Sequence, residues 1–127
     1  MRKAFLMVLL AIVSSNAMAG WVAIGKDETA IIYVDITTIR KNSDKVKMWS
    51  LEDSKVARIA IHKTYMSKKI QYEFDCNGEE YRVLTISFHT GNMGGGETVD
   101  SIDDIGKWSA VPPESVAERL WQVACGK

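Results

Sequence analysis

The chain has 127 residues, with 16 basic and 16 acidic side chains, two cysteines and four tryptophans. That length makes one domain with a modest core. A balanced charge argues against a nucleic-acid binder, which carries a strong positive excess, and against a membrane-surface protein, which also tends to be basic.

The first residues read MRKAFLMVLLAIVSSNAMAG. Arg2 and Lys3 make a positive start, Ala4 to Val13 is an apolar run, and Ala17-Met18-Ala19 is a small-x-small cleavage site. This is the pattern of a secretory signal peptide, residues 1–19, cut before Gly20. The apolar run is short for a membrane span, which takes about 20 residues. No cysteine follows it, so no N-terminal lipid anchor is expected. The mature domain is then 20–127. Losing Arg2 and Lys3 leaves 14 basic against 16 acidic residues, a formal charge near −2.

In chain order, WVAIG (21–25) and AIIYVD (30–35) read as strands joined by the charged turn KDET. ITTIRKNSD (36–44) is polar and is expected to hold a helical turn. VKMWSL (46–51) is a strand. VARIAI (56–61) fits either a strand or a loop. IQYEFDC (70–76) alternates with strand period and puts Ile70, Tyr72, Phe74 and Cys76 on one apolar face. Asn77-Gly78 is a strong hairpin signal. YRVLTISF (81–88) then returns, with Leu84, Ile86 and Phe88 on one side and Tyr81 and Val83 on the other. Residues 64–89 are therefore expected to form a β-hairpin. HTGNMGGGE (89–97) is a loop, because successive glycines hold regular structure poorly. TVDSI (98–102) is a candidate last strand.

The end of the chain changes period. Val116, Leu120, Val123 and Ala124 share one helical face, with Ala117 and Trp121 beside them. Ser115 and Glu118 have capping-box spacing, although Pro113 could instead open the helix. Gly126 suits its end. Such a short helix needs a surface to pack on.

Export would place Cys76 and Cys125 in an oxidising space, where two cysteines in a small domain usually pair. Free thiols and an intermolecular bridge are the alternatives. A bridge would staple the terminal helix to the inner face of an antiparallel sheet. Cys76 and Cys125 lie 125 − 76 = 49 residues apart, and closing a loop of that size contributes about 4 kcal/mol in the chain-entropy model.

The order of short motifs resembles the bacterial surface-adhesin protein E family. Trp21, Tyr33-Val34-Asp35, Thr38-Ile39-Arg40, Val46 to Trp49, Tyr65 to Ser67, Glu73 to Cys76, Trp108, Pro113 to Ser115 and Cys125 carry the resemblance. It spans nearly the whole mature chain. It implies an α+β fold: a single antiparallel sheet of about six strands with a C-terminal helix packed on one face and tied by a disulfide, Cys76 to Cys125. It also implies binding of host extracellular-matrix proteins in the pathogen members. The surface-exposed members are lipid-anchored, so a chain without the lipidated cysteine could stay in the periplasm.

No motif points to catalysis, a cofactor or a metal. Gly91 to Thr98 nearly matches the phosphate-binding G-x-x-x-x-G-K-[ST] loop, but Glu97 stands where the lysine should be and would repel phosphate. The loop remains a candidate for contact with a partner. His62 and His89 lie in different segments and are expected to be solvated. Glu97, Asp100, Asp103 and Asp104 lack the calcium-loop pattern. The tryptophans are expected mainly to fill the core between sheet and helix. Arg40, Lys41, Lys63, Lys68 and Lys69 form a candidate binding face for a protein or glycan; their other role would be to block edge-to-edge aggregation.

The expected function is a non-enzymatic exported binding module, with a host matrix protein as a possible ligand and a homodimer as a possible state. The alternative is a periplasmic accessory or stress protein without surface exposure. A small hydrolase is a third reading, disfavoured because no nucleophile and base are visibly paired.

Overall fold

The computed structural model describes residues 20–127; the expected signal peptide lies outside the described residues. Strands β1 (Val22–Lys26), β2 (Ala30–Asn42), β3 (Lys45–Ala60), β4 (Lys63–Asp75), β5 (Glu80–His89) and β6 (Thr98–Ile102) pair in chain order. All these pairs are antiparallel, and a two-residue β7 (Ser109–Ala110) joins β5. Helix α1 (Val116–Cys125) closes the chain. The expected antiparallel sheet with one C-terminal helix is the observed fold.

Register assigns every side chain to one of two faces. Val34, Ser50, Ile70, Ile86 and Ile102 lie side by side across five strands, on the face that α1 covers. Tyr33, Leu51, Lys69, Ser87 and Ser101 form the neighbouring row on the opposite face, which no helix covers. The main core lies under the helix: Val34, Val46, Met48 and Phe74 from the sheet meet Leu120, Trp121 and Ala124 from α1.

Four local features hold the helix in place. Ser115 is its N-cap, its Oγ accepting from the Glu118 N–H at 3.1 Å, so the helix opens after Ser115 and not at Pro113. Gly126 ends it in the left-handed region. The Trp121 indole N–H donates to the Asp75 carbonyl at 2.9 Å. One residue further along, Cys76 is bridged to Cys125, with Cα atoms 5.6 Å apart. Indole and disulfide thus pin the helix C-terminus to the end of β4, where a terminal segment would otherwise fray. Val116, expected on the buried face, is 45% exposed at the first turn.

The structure changes three further expectations. Residues 36–44 hold no helical turn, because β2 continues to Asn42. A bulge between Asp35 and Arg40 interrupts its ladder with β3. There the threonines replace the missing ladder bonds: Asp35 Oδ1 accepts from the Thr37 N–H at 3.0 Å, and Thr38 Oγ1 accepts from the Trp49 N–H at 3.0 Å. Residues 56–60, open between strand and loop, are strand, and Ile61 begins the turn that follows. The β4–β5 hairpin forms as expected, but its left-handed residue is Glu79, φ 53°, and not Gly78. Asp75 Oδ1 accepts from the N–H groups of both Asn77 and Gly78, so a longer, carboxylate-capped loop replaces the tight Asn-Gly turn.

In β5, Leu84 is an inserted residue, since Gln71 faces Thr85 while Tyr72 faces Val83. One extra residue reverses a period-two alternation. Tyr81 and Val83 therefore join Ile86 on the helix side, where the Tyr72 and Tyr81 rings lie 6.2 Å apart.

A groove on the open face

The helix-free face is closed at one end by the glycine-rich loop. Residues 92–94 make one 3-10 turn, and the loop folds back over β3 and β4. Asp53 Oδ1 accepts from the Met93 N–H at 2.7 Å and from Asn92 Nδ2 at 3.0 Å. Ser67 Oγ accepts from the Gly94 N–H at 2.8 Å and donates to the Gly91 carbonyl at 2.6 Å. Gly94, at φ 74°, lies so close to Lys69 that a Cβ would collide with its Cε. The N–H groups of Gly91, Gly94, Gly95 and Glu97 all bond to acceptors of the protein itself. They are turned inward, unlike those of a loop that cradles phosphate.

Beside this loop lies a groove of about 350 Å³ lined by Trp21, Asp35, Thr38, Trp49, Lys69, Ser87 and His89. Its floor comes from four consecutive strands, because Asp35 pairs with Trp49 and Lys69 with Ser87 across the ladder. Trp21 is placed by Gly20, which packs on Asp35 so tightly that a Cβ would stand 2.9 Å from Oδ2.

His89 is 6% exposed, against the expectation of a solvated side chain. Its Nε2 is 2.8 Å from Ser87 Oγ and its Nδ1 is 3.3 Å from Thr98 Oγ1. Burial, then the Lys69 charge, holds the imidazole below its ordinary value of 6.5. A serine–histidine pair is thus present. The group at Nδ1 is a neutral hydroxyl, however, not the carboxylate that stabilises an imidazolium in a catalytic triad. The sequence reading passed over this pair. Its signal is the i, i+2 spacing of Ser87 and His89, which puts both on one face of a strand.

The tryptophans are distributed differently from expectation. Trp121, 8% exposed, is in the main core. Trp21 and Trp49 line the groove. Trp108 packs on cations, with Arg82 Cζ 4.5 Å and Lys45 Nζ 5.8 Å from its ring centroid. Arg82 itself is held by Glu73 at 2.6 Å. Three of the four therefore lie outside the helix–sheet core; for Trp49 the register decides this, placing it on the open face beside Asp35 and Gln71.

The five cations singled out in the sequence fall in separate places. Arg40 bonds the carbonyls of Thr37 and Ile39 at the far end of β2, beside Lys41. Lys63 donates to the Val99 carbonyl at 2.9 Å. Lys68 is paired with Glu52 at 3.3 Å on the helix side. Lys69, next in sequence, points to the open face and enters the groove. Among the described residues, no group of three or more His, Cys, Asp or Glu side chains is arranged to hold a metal, and no helix is long and apolar enough to cross a membrane.

Residues 21–126 match the family model described as surface-adhesin protein E. The chain belongs to that family. Among solved structures, it is similar to crystal form II of Haemophilus influenzae protein E, with a TM-score of 0.69 and 12% identity over 85% of this chain and 88% of that one. Protein E from non-typeable Haemophilus influenzae matches with a TM-score of 0.62 and 13% identity over 85% of this chain and 76% of that one. At such identities the likeness is one of fold. No curated protein sequence matches the chain. Within the family fold, this member's groove is assembled from side chains that its own sequence places on the open face.

Proposed function

We propose that this chain is an exported, non-enzymatic binding module that takes a protein ligand on the open face of its sheet. The observation that carries the reading is the groove between Trp21 and Trp49, with Lys69 and His89 at its loop end. Aromatic and cationic side chains around a partly desolvated hollow are what protein recognition draws on most. Membership of a surface-adhesin family supports a host protein as that ligand. On this reading residues 1–19 are removed during export, and the domain 20–127 works without cofactor or metal.

Two experiments test it in order. Protease shaving of intact cells, with a periplasmic marker as control, reports location. Cleavage of the protein while the marker survives supports surface exposure. Survival of both until the outer membrane is opened rejects host adhesion and points to a periplasmic partner. Binding of the mature protein to immobilised matrix proteins then reports the groove. Trp49→Ala should weaken a genuine interaction at least tenfold, and an unchanged affinity would remove the groove from the reading.

A further inference from the structure

The β3–β4 hairpin outruns both of its neighbours. β3 pairs with β2 only as far as Ser54, opposite Ala30, and β4 pairs with β5 only as far as Ser67, opposite His89. Beyond a bulge, the two strands pair with each other alone, from Arg58 and Tyr65 to Ala60 and Lys63. Residues 56–65 thus form a two-stranded arm. Such an arm is marginal by itself in water. Its flanks are tied down: Arg58 Nη2 donates to Thr29 Oγ1 at 2.6 Å, the Tyr65 ring meets Phe88 edge-on at 4.9 Å, and Lys63 reaches the Val99 carbonyl.

The tip is of different character. Val56 is 53%, Ile59 76% and Ile61 56% exposed. Val56 and Ile59 share the lining of one hollow of about 380 Å³ with Tyr65, so apolar surface is continuous along the arm. The turn is made by Ile61 at φ 51° and His62 at φ 63°. A β-branched residue is strained in that region, where Asn or Gly would sit easily. An aliphatic side chain is therefore displayed at the apex at the expense of local stability.

Charge separates this arm from the rest of the molecule. Residues 55–65 carry three cations, Lys55, Arg58 and Lys63, and no Asp or Glu, in a chain whose charges balance overall. Lys55, Arg58 and Lys63 flank the exposed aliphatics. The positive excess that a membrane-surface protein needs is absent from the whole chain but present here.

We propose that the arm is a membrane-contact element for a bilayer rich in anionic phospholipid. Val56, Ile59 and Ile61 enter the boundary between headgroups and acyl chains, and Lys55, Arg58 and Lys63 meet the phosphates. The chemistry favours lipid over a protein partner. Protein hot spots are built on Trp, Tyr and Arg seated in pockets; this tip presents Ile61 on a two-residue turn and Val56 and Ile59 on the strand that leads into it, with cations beside them. Burial of apolar area and attraction to anionic lipid add together at an interface, and neither requires a complementary shape.

The test is co-sedimentation of the mature protein with phosphatidylglycerol vesicles and with pure phosphatidylcholine vesicles. Binding is expected to phosphatidylglycerol, to fall steeply with added salt, and to be weak on phosphatidylcholine. The double variant Ile59→Ser, Ile61→Ser should bind roughly tenfold more weakly or worse. Ile61→Asn guards against misfolding, because Asn suits the turn; it should retain or raise the thermal midpoint while still losing lipid binding. No sedimentation with phosphatidylglycerol, equal binding of the tip variants, or equal binding to both vesicles would each overturn the proposal. Loss of a protein ligand in the tip variants without any vesicle binding would assign the arm to a protein partner instead.

Discussion

The two faces of this sheet come from the same strands and the same alternating residues, yet they are finished differently. The helix side carries Val34, Val46, Met48 and Phe74, all at most 3% exposed, under an amphipathic helix that is capped, bridged and hydrogen-bonded in place. The open side is covered at one end by a loop held through backbone N–H groups and two side chains, Asp53 and Ser67. Beside that loop it keeps a groove with a buried histidine. The difference teaches that the helix side supplies stability and leaves the open side free to differ in chemistry. Among the described residues no buried side-chain nitrogen or oxygen lacks a partner, so the open side is polar without being strained by unmet hydrogen bonds.

The sharpest way to break this comparison is to cut the staple. Cys76→Ala should lower stability by about 2–5 kcal/mol, read from the midpoint of urea unfolding under non-reducing conditions. An unchanged midpoint would mean that Trp121 and the apolar contacts dock the helix unaided. A matched pair of truncations comes next. Leu120→Ala, at a position 2% exposed, should cost about 2–5 kcal/mol. Trp49→Ala, on the partly buried groove wall, should cost about 1 kcal/mol or less despite losing more atoms. Equal costs would make the open face a second core and weaken its case as a binding surface.

Gly94→Ala probes the loop that covers the open side. A left-handed φ and the close approach of Lys69 both oppose the added methyl, and a loss of about 1 kcal/mol is expected. Faster amide exchange confined to residues 90–97 should accompany it. An unperturbed loop would show that Lys69 moves aside without penalty.

The smallest effect is a pH slope. His89 is held below its ordinary 6.5 by burial and by Lys69, so the unfolded chain takes up its proton at a higher pH than the folded one. The stability tied to the neutral ring is complete above about 6.5 and is lost as pH falls through the lower folded value. Thermal midpoints of the parent protein should therefore decline between neutral and mildly acidic buffer more than those of His89→Gln. Parallel declines would assign the slope to other groups.

Much of the architecture was legible in the residues. The alternation of Ile70, Tyr72, Phe74 and Cys76 marked the central strand, the change of period after Pro113 marked the helix, and Ser115 with Glu118 marked its start. These are local signals, written within a few residues, and both ends of the disulfide lay on elements so marked. The bulges at Asp35 and Leu84 were not legible. Each depends on a partner strand supplying or withholding one ladder bond, and each moves residues to the opposite face: Tyr81 joined the core because of one. Nor was the groove legible. Trp21, Asp35, Trp49, Lys69 and His89 come from widely separated segments, and only register brings them side by side. Composition and periodicity by themselves determined that the chain makes one α+β domain with a terminal helix. The tertiary structure decided which face the helix dries, which tryptophans remain outside the core, and which basic segment projects beyond the sheet. Those outcomes depend on pairings between distant strands, where a shift of one residue exchanges the inside for the outside.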